Sequence, residues 1–243
     1  MKFTAKRTLL ISLILASTSA VADTKKYGTS GSGEAGYSGS TGNTVEESIS
    51  AAIKLKYLQK YYEINGLLEA NNKTESHIKT QERYVGDIQS NFFFSNYQKA
   101  YSFAQGRWEN DRFANIDLNS YYIAGLGYNL YKEKDLALSF EGGLGYQNMN
   151  YTPGSTTKDF DQKIGKFSTK FEYGFNPNVR FLQDLSEFYG ERQANFESNS
   201  AIKVKLNGHL RLKIAYKYRY NTNPDAGKVK TDTQTLASIV YDF

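Results

Sequence analysis

Apolar and polar residues alternate one by one along most of the chain, the period of a strand rather than the 3.6 of a helix. In the final stretch Thr233, Thr235, Ala237, Ile239, Tyr241 and Phe243 share one face, and Asp232, Gln234, Leu236, Ser238, Val240 and Asp242 share the other. Leu212, Ile214, Tyr216, Tyr218 and Tyr220 alternate with Arg211, Lys213, Ala215, Lys217 and Arg219. Ile49, Ala51, Ile53, Leu55 and Tyr57 alternate with Ser48, Ser50, Ala52, Lys54 and Lys56. One apolar face and one charged face per strand predict an antiparallel sheet with unlike sides. Twelve such segments follow, near 32–41, 44–57, 60–71, 80–94, 99–110, 117–130, 135–150, 163–175, 179–192, 198–207, 211–221 and 231–243. Ten or fourteen are the neighbouring even counts. The Gly-rich first segment and the ninth, whose phase is ambiguous around Phe181 and Leu185, carry the weakest pattern.

The connections tend to alternate in length. Short turns are predicted near 59, 96–98, 131–134, 176–178 and 207–210, and polar loops at 72–79, 111–116, 151–162 and 222–230. Two further connections on the loop side, 42–43 and 193–197, are short. Pro153, Pro177 and Pro224 all fall in connections, as fully paired strands require.

Composition then decides what kind of sheet this is. The chain has 243 residues, no Cys, twenty Tyr and fifteen Phe. The lack of Cys excludes a disulfide scaffold, thiolate metal sites and a thiol nucleophile. A mean hydropathy of −0.59 argues against a helical membrane protein but not against a barrel, in which only the lipid-facing half of each strand is apolar. The N-terminus reads as a secretory signal: Lys2, Lys6 and Arg7, an apolar core from Leu9 to Ala16, and Ala20-Val21-Ala22 as the cleavage site, with cleavage after Ala22. Without those three charges the formal +5 falls to +2, so the basic balance carries no case for nucleic acid. Tyr and basic residues interleave on opposite faces of the eleventh segment, which also disfavours base stacking.

The predicted architecture is therefore an all-β, up-and-down antiparallel transmembrane β-barrel of about twelve strands. Residues 1–22 are the signal, 23–32 a flexible polar lead and 33–243 the barrel in the outer membrane of a Gram-negative bacterium. Complete backbone pairing in lipid requires an even, closed sheet when both termini lie on one side. Tyr57, Tyr62, Phe92, Phe94, Tyr128, Tyr146, Tyr173, Tyr220 and Tyr241 sit near strand ends, as an interfacial aromatic girdle requires. The terminal Phe243, with Tyr241 and Ile239 before it, matches the signal by which the outer-membrane assembly machinery receives its clients. Expected partners are that machinery, outer-membrane lipid and lipopolysaccharide, with the chain itself a monomer.

Some motifs also carry a family resemblance. Gly33-Glu34-Ala35-Gly36-Tyr37-Ser38-Gly39-Ser40-Thr41-Gly42-Asn43-Thr44 resembles the opening of the salt-induced outer membrane protein family, a bacterial family without assigned function. Glu82-Arg83-Tyr84, Trp108-Glu109-Asn110-Asp111-Arg112-Phe113, Val204-Lys205-Leu206-Asn207-Gly208 and Tyr220-Asn221-Thr222-Asn223-Pro224 resemble its later motifs, in order. The resemblance implies an outer-membrane barrel and a link to osmotic or salt response. It supplies no catalytic residues.

Candidate chemistry is sparse. His77 is expected in an outer loop near Glu75, and His209 in a turn on the opposite side. Neither has a serine and an orienting group in register, so no catalytic residue is assigned. No spacing matches a metal site or cofactor motif; loop carboxylates Asp159, Asp161, Glu197 and Asp225 lack the spacing of a calcium loop. Asp111-Arg112 reads as an intraloop ion pair, or as a contact to lipopolysaccharide phosphate. The strongest constellation is a basic inner wall of Lys54, Lys56, Lys203, Lys205, Arg211, Lys213, Lys217 and Arg219. It predicts either a narrow pore preferring small anionic solutes or structural charge paired with acids such as Glu63, Glu69, Asp87, Glu109, Glu141, Glu172 and Asp184. The functional readings left open are a narrow pore or envelope-stress protein, a lipid-modifying barrel enzyme, and an adhesin or receptor using loops 72–79 and 151–162.

Overall fold

A computed structural model of the protein describes residues 27–40 and 46–243. The signal read at residues 1–22 and the connection at 42–43 lie outside the described residues. Twelve strands form one closed antiparallel barrel: β1 (Gly28–Ser40), β2 (Glu46–Leu58), β3 (Tyr62–Glu75), β4 (Ile78–Phe93), β5 (Ala100–Asp111), β6 (Ile116–Lys132), β7 (Leu136–Tyr151), β8 (Phe160–Asn176), β9 (Val179–Gly190), β10 (Ala194–Lys205), β11 (Leu210–Asn221) and β12 (Thr231–Asp242). Each strand pairs with its sequence neighbours, and β1 closes the ring on β12, from Ser32 opposite Asp242 to Tyr37 opposite Ala237. Closure removes both free edges, the condition for an all-strand structure to cross lipid. None of the described helices is long and apolar enough to cross a membrane.

Several connections differ from the sequence expectation. β1 begins at Gly28, inside the stretch read as a polar lead, because Gly28–Ser32 pairs with Leu58–Lys54. Its Ser and Gly side chains carry no alternation to read. The expected loop at 72–79 is a tight turn, in which Ser76 and His77 take positive φ values of 48° and 66°. That conformation suits the twist of a two-residue hairpin. The strand read from 198 begins at Ala194, which moves Glu197 from a loop onto β10.

The period-two pattern sorts the side chains as expected. Ile49, Ile53, Leu68, Leu126, Leu144 and Ile214 stand on the outer face and are exposed. The residues assigned to the aromatic girdle share this outward phase. Phe92 and Phe94 belong to it, but Phe93 between them points inward and is buried. At the end holding the termini, Phe243 exchanges two backbone hydrogen bonds with Gly31, of 2.8 and 2.9 Å, extending the β1–β12 seam. Ile239, Tyr241 and Phe243 stand exposed on the outer wall beside it.

Candidate functional site

The inward faces divide the lumen into two unlike halves. On β4–β9 the side chains Phe93, Tyr101, Phe103, Tyr121, Ile123, Ile164 and Phe188 form a buried cluster. Two inward glycines make room for it. A Cβ at Gly127 would stand 2.2 Å from the Tyr101 ring, and one at Gly125 would stand 2.8 Å from Phe103 and 2.2 Å from the Gly142 carbonyl oxygen. The floor of this slab is polar but satisfied. Glu141 accepts from Gln89 at 2.6 Å, Tyr101 at 3.0 Å, Ser168 at 3.0 Å and Lys166 at 2.8 Å. Full pairing is what a charge needs when it is removed from water.

The opposite half, on β1–β3 and β10–β12, carries charge instead of rings. All eight basic residues expected on the inner wall have the inward phase, but the structure treats them differently. Lys56 pairs with Glu63 at 2.8 Å, Lys213 with Glu34 at 2.8 Å and Lys217 with Glu69 at 2.9 Å. Arg211 pairs with Asp242 on the neighbouring strand. Arg219 lies 3.6 Å from Asp111, 3.7 Å from Asp232 and 3.9 Å from Glu109, all ion-pair rather than hydrogen-bond distances. Lys205 stands exposed at the rim of the terminal end. Lys54 and Lys203 form no ion pair with a described residue, and both line the main cavity.

That cavity has a volume of about 700 Å³ and reaches from Ser30, Lys56 and Asp242 at the terminal end to Arg83, Arg107, Glu197 and Arg219 in the middle of the barrel. Ten basic and six acidic side chains line it, so its wall is positive on balance. Above it lies a second chamber of about 70 Å³, bounded by Glu109, Asp111, Tyr121, Gln193 and Asp225. Arg107, Glu197 and Arg219 border both.

A clamp of charged groups separates the two. Arg83 Nε donates to Glu109 at 2.5 Å and its Nη2 to Glu197 at 3.3 Å. Arg107 Nη2 reaches both oxygens of Glu197, at 2.7 and 2.9 Å, across the lumen from β5 to β10. Sequence reasoning missed Arg83, Arg107 and the lumen role of Glu197. The inward phase of Gln81, Arg83, Val85, Asp87 and Gln89 on β4 was a readable signal for Arg83; the reach across the barrel was not.

Hydrogen bonds tie the connections of the loop end together around the upper chamber. Asp225, 3% exposed, accepts from Asn115 at 2.6 Å and from Thr157, tying the loop before β12 to the β5–β6 and β7–β8 connections. Burial pushes its carboxyl up, but hydrogen bonds from Asn115, Thr157 and Ser155 outweigh this and hold it at about 2. Beneath, Gln147 donates to Asn119 at 2.9 Å and accepts from Gln162 at 2.5 Å. Gln193 donates to Asn221 at 2.8 Å. Ile116, Met149, Tyr151 and Phe160 add a small apolar cap on the same side.

The two histidines and Arg112 fall outside the lumen chemistry. His77 is at the tip of the β3–β4 turn. His209 Nδ1 lies 3.1 Å from the Asp242 carbonyl oxygen, and its ring lies 5.7 Å from Tyr241. The expected Asp111–Arg112 pair is not formed. Asp111 accepts from the Ala114 amide at 3.2 Å, capping a one-turn helix, and Arg112 stands 3.8 Å from Glu82.

Known proteins resemble this chain in sequence or in fold. The chain is 26% identical over 210 residues to "Uncharacterized protein YdiY" of Escherichia coli strain K12, covering 86% of this chain and 81% of that protein. Its fold is similar to the COG4313 outer membrane channel from Pseudomonas putida F1, with a TM-score of 0.52 and 9% identity over 89% of this chain and 96% of that one. The fold is that of outer-membrane β-barrels. The pattern of the family described as "Protein of unknown function, DUF481" matches residues 33–243, nearly the whole barrel, and the chain belongs to that family.

Proposed function

We propose that the protein is a non-enzymatic outer-membrane channel that prefers small anions. Its terminal end faces the periplasm and its loop end the exterior, a reading supported by the two longest connections among the described residues, 152–159 and 222–230, which both lie at the loop end. The observation that carries this reading is the 700 Å³ cavity, whose wall holds ten basic and six acidic side chains. Most lumen cations are neutralised by a carboxylate, which builds the barrel. Lys54 and Lys203 are not paired among the described residues, and an ammonium without a fixed counter-charge draws a mobile one. Outer-membrane lipid and lipopolysaccharide surround the monomer in this reading, and the exposed Ile239, Tyr241 and Phe243 are what the assembly machinery receives.

The test is the zero-current potential of refolded protein in a planar bilayer across a KCl gradient. Anion preference is expected, and Lys54→Gln with Lys203→Gln should move the potential toward zero. A cation-selective channel, or a potential unmoved by the two changes, overturns the reading. The resemblance to salt-induced outer membrane proteins adds a physiological arm: a strain lacking the protein should recover more slowly from a rise in external salt.

A further inference from the structure

The two chambers of the lumen are divided where three residues, Arg107, Glu197 and Arg219, border both. Glu197 belongs to β10 and stands directly opposite Arg219 on β11. Opposed residues on paired strands bring their Cβ atoms within about 5 Å, close enough for a same-wall ion pair. Glu197 does not make that pair in this structure. It reaches across the lumen instead, to Arg107 at 2.7 and 2.9 Å and to Arg83 at 3.3 Å. Arg219 meanwhile makes only the long contacts described above. Glu197 thus has two alternative cationic partners, one across the lumen and one along its own wall.

The clamp is also chemically incomplete. Arg107 presents one nitrogen, Nη2, to both Glu197 oxygens, while its Nε is buried and has no hydrogen-bond partner among the described residues. A guanidinium ordinarily binds a carboxylate with two parallel N–H groups. Glu197 leaves one such donor unused. Its side chain is 28% exposed, against 6% for Arg83 and 11% for Arg107, so it is the member with room to turn.

We propose that Arg107 and Arg83 form a carboxylate-binding site that Glu197 occupies at rest, and that a small solute carboxylate from the periplasmic cavity displaces it onto Arg219. The displacement exchanges one carboxylate for another at Arg107 and gives Glu197 a cation already in place, so neither charge is stranded. The movement joins the two chambers, making Glu197 a gate and the solute its key. Such a switch needs the solute to bind one arrangement better than the other. The free Nε edge of Arg107 supplies that difference. This inference rests on the channel reading above.

Single-channel recording of the full refolded chain, with acetate as the probe, tests it. Heat-modifiable migration first establishes that each variant is a folded barrel. Glu197→Gln removes the resident carboxylate and should raise conductance in KCl by about threefold or more. Glu197→Asp keeps the charge but shortens the reach, and should raise it in the same direction, which covers the event that the glutamine variant does not fold. Acetate on the periplasmic side should raise open probability in the wild type and fail to do so in Arg219→Gln, where Glu197 has no second partner. A wild type that conducts anions, with conductance unmoved by Glu197→Gln or Glu197→Asp and no response to acetate, overturns the gate and leaves the channel reading standing. A wild type and variants that are all folded and silent overturn both.

Discussion

Strands β5–β9 fill their side of the lumen with rings: Tyr101, Phe103, Tyr121 and Phe188 pack with Ile123 and Ile164 over glycine-lined strands. Strands β1–β3 and β10–β12 line theirs with Lys54, Glu69, Lys203, Lys213 and Lys217, and border the 700 Å³ cavity, which also runs past Arg107, Lys166, Lys170 and Asp184 on β5, β8 and β9. The outer walls of both halves are alike in standing apolar side chains outward, such as Ile53 and Ile214 on one and Leu126 and Leu144 on the other. The inner walls differ because twelve strands enclose more space than side chains of one kind fill well. Rings close one half by excluding water. Charges hold the other together while keeping it wet, at the cost of requiring a partner for nearly every buried ion.

This contrast ranks the expected effects of mutation. The largest comes from the packed half. Gly125→Val places side-chain carbons where the Gly142 carbonyl oxygen would stand 2.2 Å away, and the backbone has no room to yield. No folded, heat-modifiable species should form. Next is Arg83→Met at the clamp in the middle of the barrel, which leaves Glu109 only its longer contacts to Arg107 and Arg219, of 3.8 and 3.9 Å, and weakens the hold on Glu69 and Glu197. Removing one partner of a buried pair costs about 3–5 kcal/mol, read as a fall in the urea midpoint of unfolding in lipid vesicles. A barrel as stable as wild type would show that the network is solvated rather than structural.

Smaller and pH-dependent is the loop staple. The folded Asp225 carboxyl titrates at about 2, below its ordinary 3.8. Its contribution is therefore complete above the ordinary value and is lost as pH falls through the folded one. Protease cutting within 222–230 should stay low from neutral pH to about 4 and rise between about 4 and 2. Asp225→Ala should show the high rate at every pH. The smallest effect on stability is expected from Lys54→Gln with Lys203→Gln. Neither lysine has an ion-pair partner among the described residues, so the urea midpoint should move by no more than about 0.5 kcal/mol equivalent in either direction. Selectivity should change while stability does not.

Much of the barrel was legible because an apolar outer face and a polar lumen impose an unlike-faced alternation, and β11 and β12 show it in nearly every residue. The pattern fails where one face lacks contrast. Gly28–Ser32 has no apolar side chain and is a strand only because β2 offers it a partner. Ala194 to Ser200 carries a single large apolar residue, Phe196, so the start of β10 and the inward aim of Glu197 were hidden. On β9 both Phe181 and Leu182 are apolar, yet Leu182 lines the cavity. The inner basic wall was readable strand by strand. Which lysines are neutralised was not, because Lys217–Glu69 and Lys213–Glu34 join strands far apart in sequence that only ring closure brings together.

The most direct test of a wet, anion-attracting half beside a sealed aromatic one uses the absence of native cysteine. Single substitutions Gln234→Cys, on the cavity wall, and Ile123→Cys, inside the ring cluster, give one reporter in each half. Reaction rates with a small anionic thiosulfonate and its cationic counterpart are then measured on the folded barrel. The cysteine at 234 should react readily, faster with the anionic reagent than with the cationic one, and the cysteine at 123 should stay protected from both. Equal rates at the two positions, or a preference for the cationic reagent at 234, would contradict the division of the lumen on which this account rests.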